Sequence, residues 1–138
     1  MTATHPFSDA LAIEPIYIKL GVHLYLNIMR QWQVSPTDVA AIAKIDLDTL
    51  HAWQHNAVTP FDLDIYLRIT LIIEINKGLK HLYINPSKVG KWMQTPIAAF
   101  KGHSPLNHII KHGLTGLYDV NAHCRYLAFI KPEVTILH

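Results

Sequence analysis

Apolar residues recur at helical spacing along most of the chain. The first such run begins at Pro15 and brings its apolar side chains close to one face of a helix. These side chains belong to Ile16, Leu20, Leu24, Ile28 and Trp32. Proline suits the first turn of a helix, because the N–H that it lacks would have no partner there. The pattern therefore predicts an amphipathic helix from Pro15 to about Trp32.

Two short helices are predicted next. Ser35-Pro36-Thr37-Asp38 is typical of a helix start, since the Ser35 hydroxyl can accept the backbone N–H of Asp38. The helix that it begins runs to about Ala43, and Lys44-Ile45 forms a brief turn. Asp46 then caps a helix through about Trp53, with Leu47, Leu50 and Trp53 on its inner face.

The remaining start and stop signals predict four more helices. Thr59-Pro60 opens a helix that runs through Leu79, where length favours a helix over a strand. Asn85-Pro86 begins another, which Thr95-Pro96 ends. The sixth runs from Ser104-Pro105 to Gly113, whose left-handed conformation would end it, and the last covers about Leu117 to Phe129. We therefore predict an all-α fold, a compact helical bundle with a helix-turn-helix-like module near its N-terminus.

Composition and cysteine content narrow the class of protein. Half of the 138 residues are apolar and 16% are charged, which favours a folded chain of one domain, or two very small ones sharing a core. No apolar stretch is long enough to span a bilayer, and the first twenty residues lack the basic flank of a signal peptide. The single cysteine, Cys124, excludes an internal disulfide. We therefore expect a cytoplasmic protein without contact to a membrane.

The net charge of +2 hides a strong asymmetry. Residues 1–74 hold four basic and eight acidic side chains, for a net charge of −4. Residues 75–138 hold eight basic and two acidic ones, for a net charge of +6. The two halves should therefore attract different partners.

The segment from Pro36 to Trp53 has the order of features of a helix-turn-helix, with two caps, a short turn and the small Ala40 between the helices. The second helix and the turn would offer the following residues to DNA: Lys44, Asp48, Thr49, His51, Gln54 and His55. Asp46 and Asp48 would face phosphates unfavourably, however, and no basic residue lies between Lys44 and Arg68. A DNA-binding role and a structural or dimerising role both stay open.

The C-terminal third carries a family resemblance. Its ordered residues are Trp92, Thr95-Pro96, Gly102, Ser104-Pro105, Gly113, Leu117 and Val120. This order resembles the toxin-binding domain of the Xre/MbcA/ParS-type antitoxins, and the helical region upstream is similar to their Xre-like part. The resemblance divides the chain into a lead-in (1–14), an Xre-like helical region (15–82) and a toxin-binding domain with an apolar tail (83–138).

The resemblance implies a function by binding. Such antitoxins bind a cognate toxin, commonly a RES-domain enzyme that consumes NAD, cover its active site, often repress their own promoter, and generally form homodimers. Exposed aliphatic side chains such as Ile13, Ile16 and Ile130 agree with a homodimer. The toxin-binding candidates are Trp92, Lys101, Gly102, His103, Ser104, Pro105, Arg125 and Lys131. The alternative is a stand-alone Xre-type DNA-binding transcription regulator.

The chain also departs from the family pattern. Ile97 stands where an asparagine is usual, Lys101 replaces a frequent glycine, and His103 replaces a charged residue. Physically, Trp92 is predicted to fill the core where its helix ends. The lysines and the arginine between Lys88 and Lys131 would suit an acidic partner face or form an ordinary solvated surface. The apolar tail from Phe129 to His138 is predicted to pack on a partner subunit, in the toxin's cleft or on the chain's own core.

Metal binding and catalysis are the weaker alternatives. His51/His55 and His108/His112 each place two imidazoles on one helical face, but a third ligand would have to be His123 or Cys124. Cys124 falls on the apolar stripe of the last helix, where a buried thiol is the ordinary interpretation. We therefore expect no cofactor, no metal and no enzymatic activity.

Overall fold

The computed structural model describes residues 15–83 and 85–130, and this part of the chain is all-helical, as predicted. In these residues, seven α-helices and one short 3-10 helix follow one another. Their bounds are α1 Pro15–Gln31, α2 Pro36–Ala43, α3 Leu47–Gln54, α4 Leu63–Leu82, α5 Pro86–Met93, the 3-10 helix Ala98–Phe100, α6 Pro105–His112 and α7 Leu114–Ile130. The predicted lead-in and most of the apolar tail, including Ile13 and Lys131, lie outside the described residues.

Side-chain caps begin most of the helices at the predicted positions. Ser35, Asp46, Asn85 and Ser104 each accept a backbone N–H of the first helical turn, at 2.7–3.3 Å. The predicted start of α4 at Thr59-Pro60 is wrong, because Asp62 caps this helix and accepts the N–H of Ile65 at 3.0 Å. Phe61 instead lies half-buried against Trp53, with ring centroids 5.6 Å apart.

The three long helices α1, α4 and α7 run in the same direction, with α4 between the other two. A Cβ at Gly21 would lie 3.9 Å from Ile69, and Trp32 contacts Asn76 further along, so α1 and α4 advance together. The close pairs of α4 and α7 likewise advance together, from Arg68–Gly113 to Gly78–Cys124. The short helices make the connections between the long ones, and one hydrophobic core includes residues of both halves of the chain.

The apolar face predicted for α1 is buried only at its C-terminal end. Ile28 and Trp32 are buried, whereas Leu20 and Leu24 are 51% and 39% exposed. Ile16 is exposed, as predicted. The prediction of one buried face through all five side chains is therefore wrong, because the face that α1 turns to the core is rotated and includes Val22, Tyr25, Leu26 and Met29. Leu47 of α3 is also exposed, while Leu50 and Trp53 of the same helix are buried as predicted.

Trp32, which directly follows α1, joins that helix to α4 and α5. Its indole Nε1 donates to Asn76 Oδ1 of α4 at 3.3 Å, and its carbonyl accepts Gln94 Nε2, next to α5, at 2.7 Å. Gly90 of α5 lies so close that a Cβ there would be 3.2 Å from the Trp32 Cα. The side chain is fully buried, so the indole N–H needs the partner that Asn76 supplies.

Arg68 is the buried charged side chain among the described residues. Its Nε donates to Asp64 Oδ1 at 2.9 Å, and its Nη1 donates to the carbonyl of Ile42 at the end of α2 at 3.3 Å. Its Nη2 lies against Gly113, which ends α6, where a Cβ would be 3.2 Å away. The guanidinium therefore neutralises Asp64 and lies at the negative ends of two helices. The hydrogen bond from Arg68 holds the pKa of the Asp64 carboxyl below its usual value.

Gly113 ends α6 with φ +62° and ψ −132°, a combination that essentially only glycine adopts. A positive φ was predicted, but the left-handed helical conformation was wrong in ψ. Three residues on, α7 passes α6 so closely that a Cβ at Gly116 would lie 2.6 Å from the carbonyl oxygen of His108. The chain therefore turns from α6 directly into α7, which begins at Leu114, three residues before the predicted start.

Within the described residues, no helix is both long enough and apolar enough to cross a membrane.

The contact at Gly116 predicts an uncommon response to alanine. Gly116→Ala should lower the free energy of unfolding by about 1–3 kcal/mol, because the added methyl group meets backbone that cannot move without shifting α6. Gly78→Ala is the matched control, since its Cβ would make an ordinary 3.8 Å contact. That variant should be neutral or stabilised by up to about 1 kcal/mol. Urea denaturation measures both, and equal effects of the two changes would contradict the close approach.

Arg68→Met should lower the free energy of unfolding by about 2–3 kcal/mol near neutral pH, because it removes charge-assisted hydrogen bonds and keeps the apolar stem. The lowered pKa of Asp64 means that its contribution is present above about pH 4 and is lost as the pH falls through the folded-state value. The difference in the free energy of unfolding between Arg68→Met and the unmodified protein should therefore become smaller in acid.

Lys44→Met is the control for Arg68→Met. Lys44 Nζ lies 3.3 Å from Asp64 Oδ2, but its side chain is 67% exposed, so its loss should cost less than about 1 kcal/mol. Urea denaturation of both variants at pH 7 and in acid makes the comparison. If both variants lost the same free energy of unfolding, or if the difference between them did not change with pH, Arg68 would have no special role.

Candidate functional site

Aromatic and histidine side chains from four elements meet on one side of the C-terminal half. We call this the aromatic–histidine cluster, and it consists of Trp92 (α5), Phe100 (the 3-10 helix), His108 (α6) and His123 and Tyr126 (α7). Phe100 is buried, Tyr126 is exposed, and Trp92, His108 and His123 are half-buried. The cluster therefore continues from the core to the surface.

His123 lies at the centre of the cluster. Its ring is stacked on Trp92 at 6.2 Å with an interplanar angle of 10°, and it meets the ring of Phe100 edge-on at 5.5 Å. Tyr126, one turn further along α7, lies 6.1 Å from it. Burial lowers the pKa of His123, so the imidazole is uncharged at neutral pH and stacks as a neutral ring. Trp92 itself does not fill the core as predicted, because the buried residue at the end of α5 is Met93.

His108 ties α6 to α7. Its Nε2 lies 2.8 Å from Asp119 Oδ2, and its ring stacks on Phe100 at 4.5 Å. The predicted neighbour His112 is also close, with ring centroids 4.5 Å apart. Asp119 and Phe100 together fix the orientation of the His108 ring. His108 therefore links Phe100 of the cluster to α7.

The loop from Ile97 to His103 is closed by its own backbone. The carbonyl of Ile97 accepts the N–H groups of Phe100 and Gly102, and the N–H of Ile97 donates to the carbonyl of His103 at 3.2 Å. Lys101 and Gly102 both have positive φ, +55° and +84°. Lys101, Gly102 and His103 are exposed at the tip of the loop. The loop thus presents a lysine and a histidine on a backbone that is already ordered.

The structure groups some of the predicted toxin-binding residues and separates others. Trp92 lies in the cluster, and Lys101, Gly102 and His103 lie on the loop that follows Phe100. Ser104 and Pro105 are buried, and the Ser104 hydroxyl accepts the N–H of Asn107. They begin α6 and support the loop, and they are not exposed to a partner.

Arg125 lies elsewhere. It lines a groove between α7 and α4, together with Glu74, Lys77 and Cys124. Residue 123 points to the cluster, and two residues along a helix turn the side chain by about 200°. Cys124 is buried and burial raises the pKa of its thiol to about 12, so the thiol is protonated at neutral pH.

The DNA-binding candidates lie on an acidic surface. Lys44 has φ +61° in the three-residue turn between α2 and α3, and its ammonium pairs with Asp64. Asp46 Oδ1 accepts the backbone N–H of Thr49 at 2.7 Å, and the hydrogen bonds from the side chain and the backbone of Thr49 lower the pKa of the Asp46 carboxyl. Thr49 is half-buried, and the exposed candidates on α3 are Asp48, His51, Gln54 and His55. Among the described residues, Lys44 and Arg30 are the lysine and the arginine that border α3: a carboxylate already faces Lys44, and Arg30 lines a pocket with Leu50 and Gln54.

The histidine pairs remain pairs. The rings of His51 and His55 lie 4.4 Å apart, and His55 Nδ1 donates to the carbonyl of His51 at 2.9 Å, as the carbonyl can only accept. In the part of the chain that the structure describes, no group of three His, Cys, Asp or Glu side chains is placed to hold a metal ion.

Sequence reasoning missed most of the cluster. His108 and His123 were considered only as metal ligands, and Phe100, Asp119 and Tyr126 were not considered at all. Their sequence separations follow no motif, because α5, the 3-10 helix, α6 and α7 contribute one or two residues each. The one usable signal was the number of histidines on the last two helices.

Comparison with known proteins gives no family for this chain: no family model matches it, and neither the curated proteins nor the solved structures include one that is significantly similar.

Proposed function

We propose that this protein is an antitoxin that resembles the Xre/MbcA/ParS type and neutralises a cognate toxin by covering its active site. The observation that carries the proposal is the conformation of Lys101. The resembled pattern frequently has glycine at this position, and here the backbone has a left-handed conformation that favours glycine. A loop of the family's shape is thus supported even where the residue differs.

The proposed toxin-binding surface is the aromatic–histidine cluster together with Lys101 and His103. Trp92 and Tyr126 offer large, partly exposed rings, the residue types that contribute most to protein interfaces. Lys101 makes no ion pair within the described residues, so its charge is available to a carboxylate of a partner. The closed backbone of the loop lowers the entropy lost on binding.

Neutralisation of this kind needs occlusion and no chemistry by the antitoxin itself. A RES-domain toxin that consumes NAD would be inhibited when the loop and cluster block its substrate cleft. We place the complex in the cytoplasm and propose that the antitoxin is a homodimer, for which the exposed Ile130 at the end of α7 offers apolar surface.

The test uses the product of the reading frame beside this gene. The purified chain should bind that product and suppress its consumption of NAD. Trp92→Ala should weaken binding about thirtyfold or more, since truncation of a central interface aromatic costs about 2 kcal/mol or more. Lys101→Glu should weaken it by a similar factor through charge reversal. Calorimetry measures the affinities, and residual NAD consumption measures neutralisation.

Lys19→Glu is the control for this test, because Lys19 is an equally exposed lysine on α1. Its affinity should stay within about twofold. If Lys19→Glu and Lys101→Glu lost the same affinity for the toxin, the effect would come from the net charge of the protein and not from the position of Lys101. The antitoxin proposal would be contradicted if the protein encoded beside this gene neither bound the chain nor consumed NAD.

A stand-alone DNA-binding regulator is the second candidate, favoured by two eight-residue helices joined through a left-handed Lys44. It requires the chain without any partner to bind its upstream duplex, with affinity lost in Thr49→Ala or Gln54→Ala. Fluorescence anisotropy with that duplex and a shuffled one separates the candidates. The acidic surface around α3 predicts weak binding by the isolated protein, with no preference for the upstream duplex.

A further inference from the structure

An apolar groove with a basic end lies between the parallel helices α1 and α4, away from the aromatic–histidine cluster. Its volume is about 460 Å³. Leu24, Ile28 and Ile73 form its apolar part, and Lys77, Lys80 and His81 lie at the end where both helices finish. We call it the α1–α4 groove.

Exposed leucine and isoleucine side chains extend the apolar part toward the start of α1. Ile16, Leu20 and Leu24 are 71%, 51% and 39% exposed and follow one another at four-residue intervals, so they form one stripe along the helix. Within the described residues, this stripe has no helix packed over it. From Ile16 to Gln31 the surface extends for about 22 Å at 1.5 Å per residue.

The basic end forms no ion pair within the described residues, although Glu74, one turn before Lys77 on α4, lines the neighbouring groove toward α7. Lys77, Lys80 and His81 are exposed. None of the residues that line the groove is acidic. Three basic side chains within two helical turns thus share one end of an apolar surface.

We propose that the α1–α4 groove binds an acidic amphipathic helix of a partner protein. The partner helix would place its apolar side chains on Leu20, Leu24 and Ile73, and its carboxylates near Lys77 and Lys80. A helix fits because two parallel helices leave a furrow into which the side-chain ridge of a third can pack. About 15 residues would cover the length of the surface.

Charge decides against a second copy of this chain as the occupant. In a twofold-symmetric dimer the same surface meets itself, and this surface would bring only basic and neutral groups together. An acidic partner helix neutralises the lysines while burying the exposed leucines. The groove is therefore a second binding surface, independent of the proposed toxin-binding one.

The experiment is fluorescence anisotropy with a labelled 15-residue peptide. The probe has leucines at positions 1, 5 and 8 and glutamates through its last third, and the control peptide is a scrambled version of equal charge. The probe should bind at least tenfold more tightly than the scrambled peptide. Lys77→Glu/Lys80→Glu and Leu20→Ser/Leu24→Ser should each weaken binding of the probe at least tenfold.

The matched control is Lys91→Glu/Lys111→Glu, which makes the same change of charge at exposed lysines outside the groove. It should change the affinity less than threefold, and so should Trp92→Ala, which tests the proposed toxin-binding surface. Circular dichroism verifies that each variant is folded. Failure of this proposal is thereby separate from failure of the antitoxin proposal.

Two results would overturn the proposal. One is equal binding of the probe and the scrambled peptide, or equal losses in the groove and control variants, which would leave only attraction between net charges. The other is a dimer in sedimentation velocity that Leu20→Ser/Leu24→Ser converts to monomer, which would make a second copy the occupant.

Discussion

The guanidinium of Arg68 lies where α2, α4 and α6 meet, and the arrangement of both halves depends on it. A buried charge is tolerated only when its hydrogen bonds are satisfied, here by Asp64 and the carbonyl of Ile42. The third neighbour is Gly113, where a Cβ would lie 3.2 Å from the guanidinium and would shift it by a few tenths of an ångström. The same glycine needs its positive φ to turn α6 into α7. The strict requirement for glycine at this position is therefore conformational, and the close contact with Arg68 adds to it.

This junction has consequences for both proposed binding surfaces. Because α7 follows α6 without a linker, His108 and His123 come within reach of Phe100, and the aromatic–histidine cluster forms. Because α4 is held between α1 and α7, its basic residues lie at one end of the apolar surface that the exposed stripe of α1 extends. The proposed toxin-binding surface and the α1–α4 groove therefore use different residues of one bundle, so a partner on one leaves the other accessible.

Local sequence signals were sufficient to predict where most helices begin. They were insufficient to predict which face each helix turns to the core. Ser35, Asp46, Asn85 and Ser104 cap where the sequence predicts, because a cap needs only an oxygen and an N–H two or three residues away. Leu20 and Leu24 were grouped correctly but are exposed, because periodicity identifies a face without saying what covers it. Asp62 displaced Thr59-Pro60 as the start of α4 because two start signals competed within four residues.

The sequence by itself determined the all-helical class, most helix starts, the positive φ of Gly113 and the contrast in charge between the halves. The class, the helix starts and the φ of Gly113 depend on residues that are neighbours in the sequence, and the contrast in charge depends only on counting charged side chains. Only the tertiary structure decided that Arg125 lies apart from Trp92, that His123 joins Trp92 to Phe100, and that a groove with a basic end runs beside α1. Such relations depend on which faces of distant helices meet, and packing of the whole bundle sets those faces.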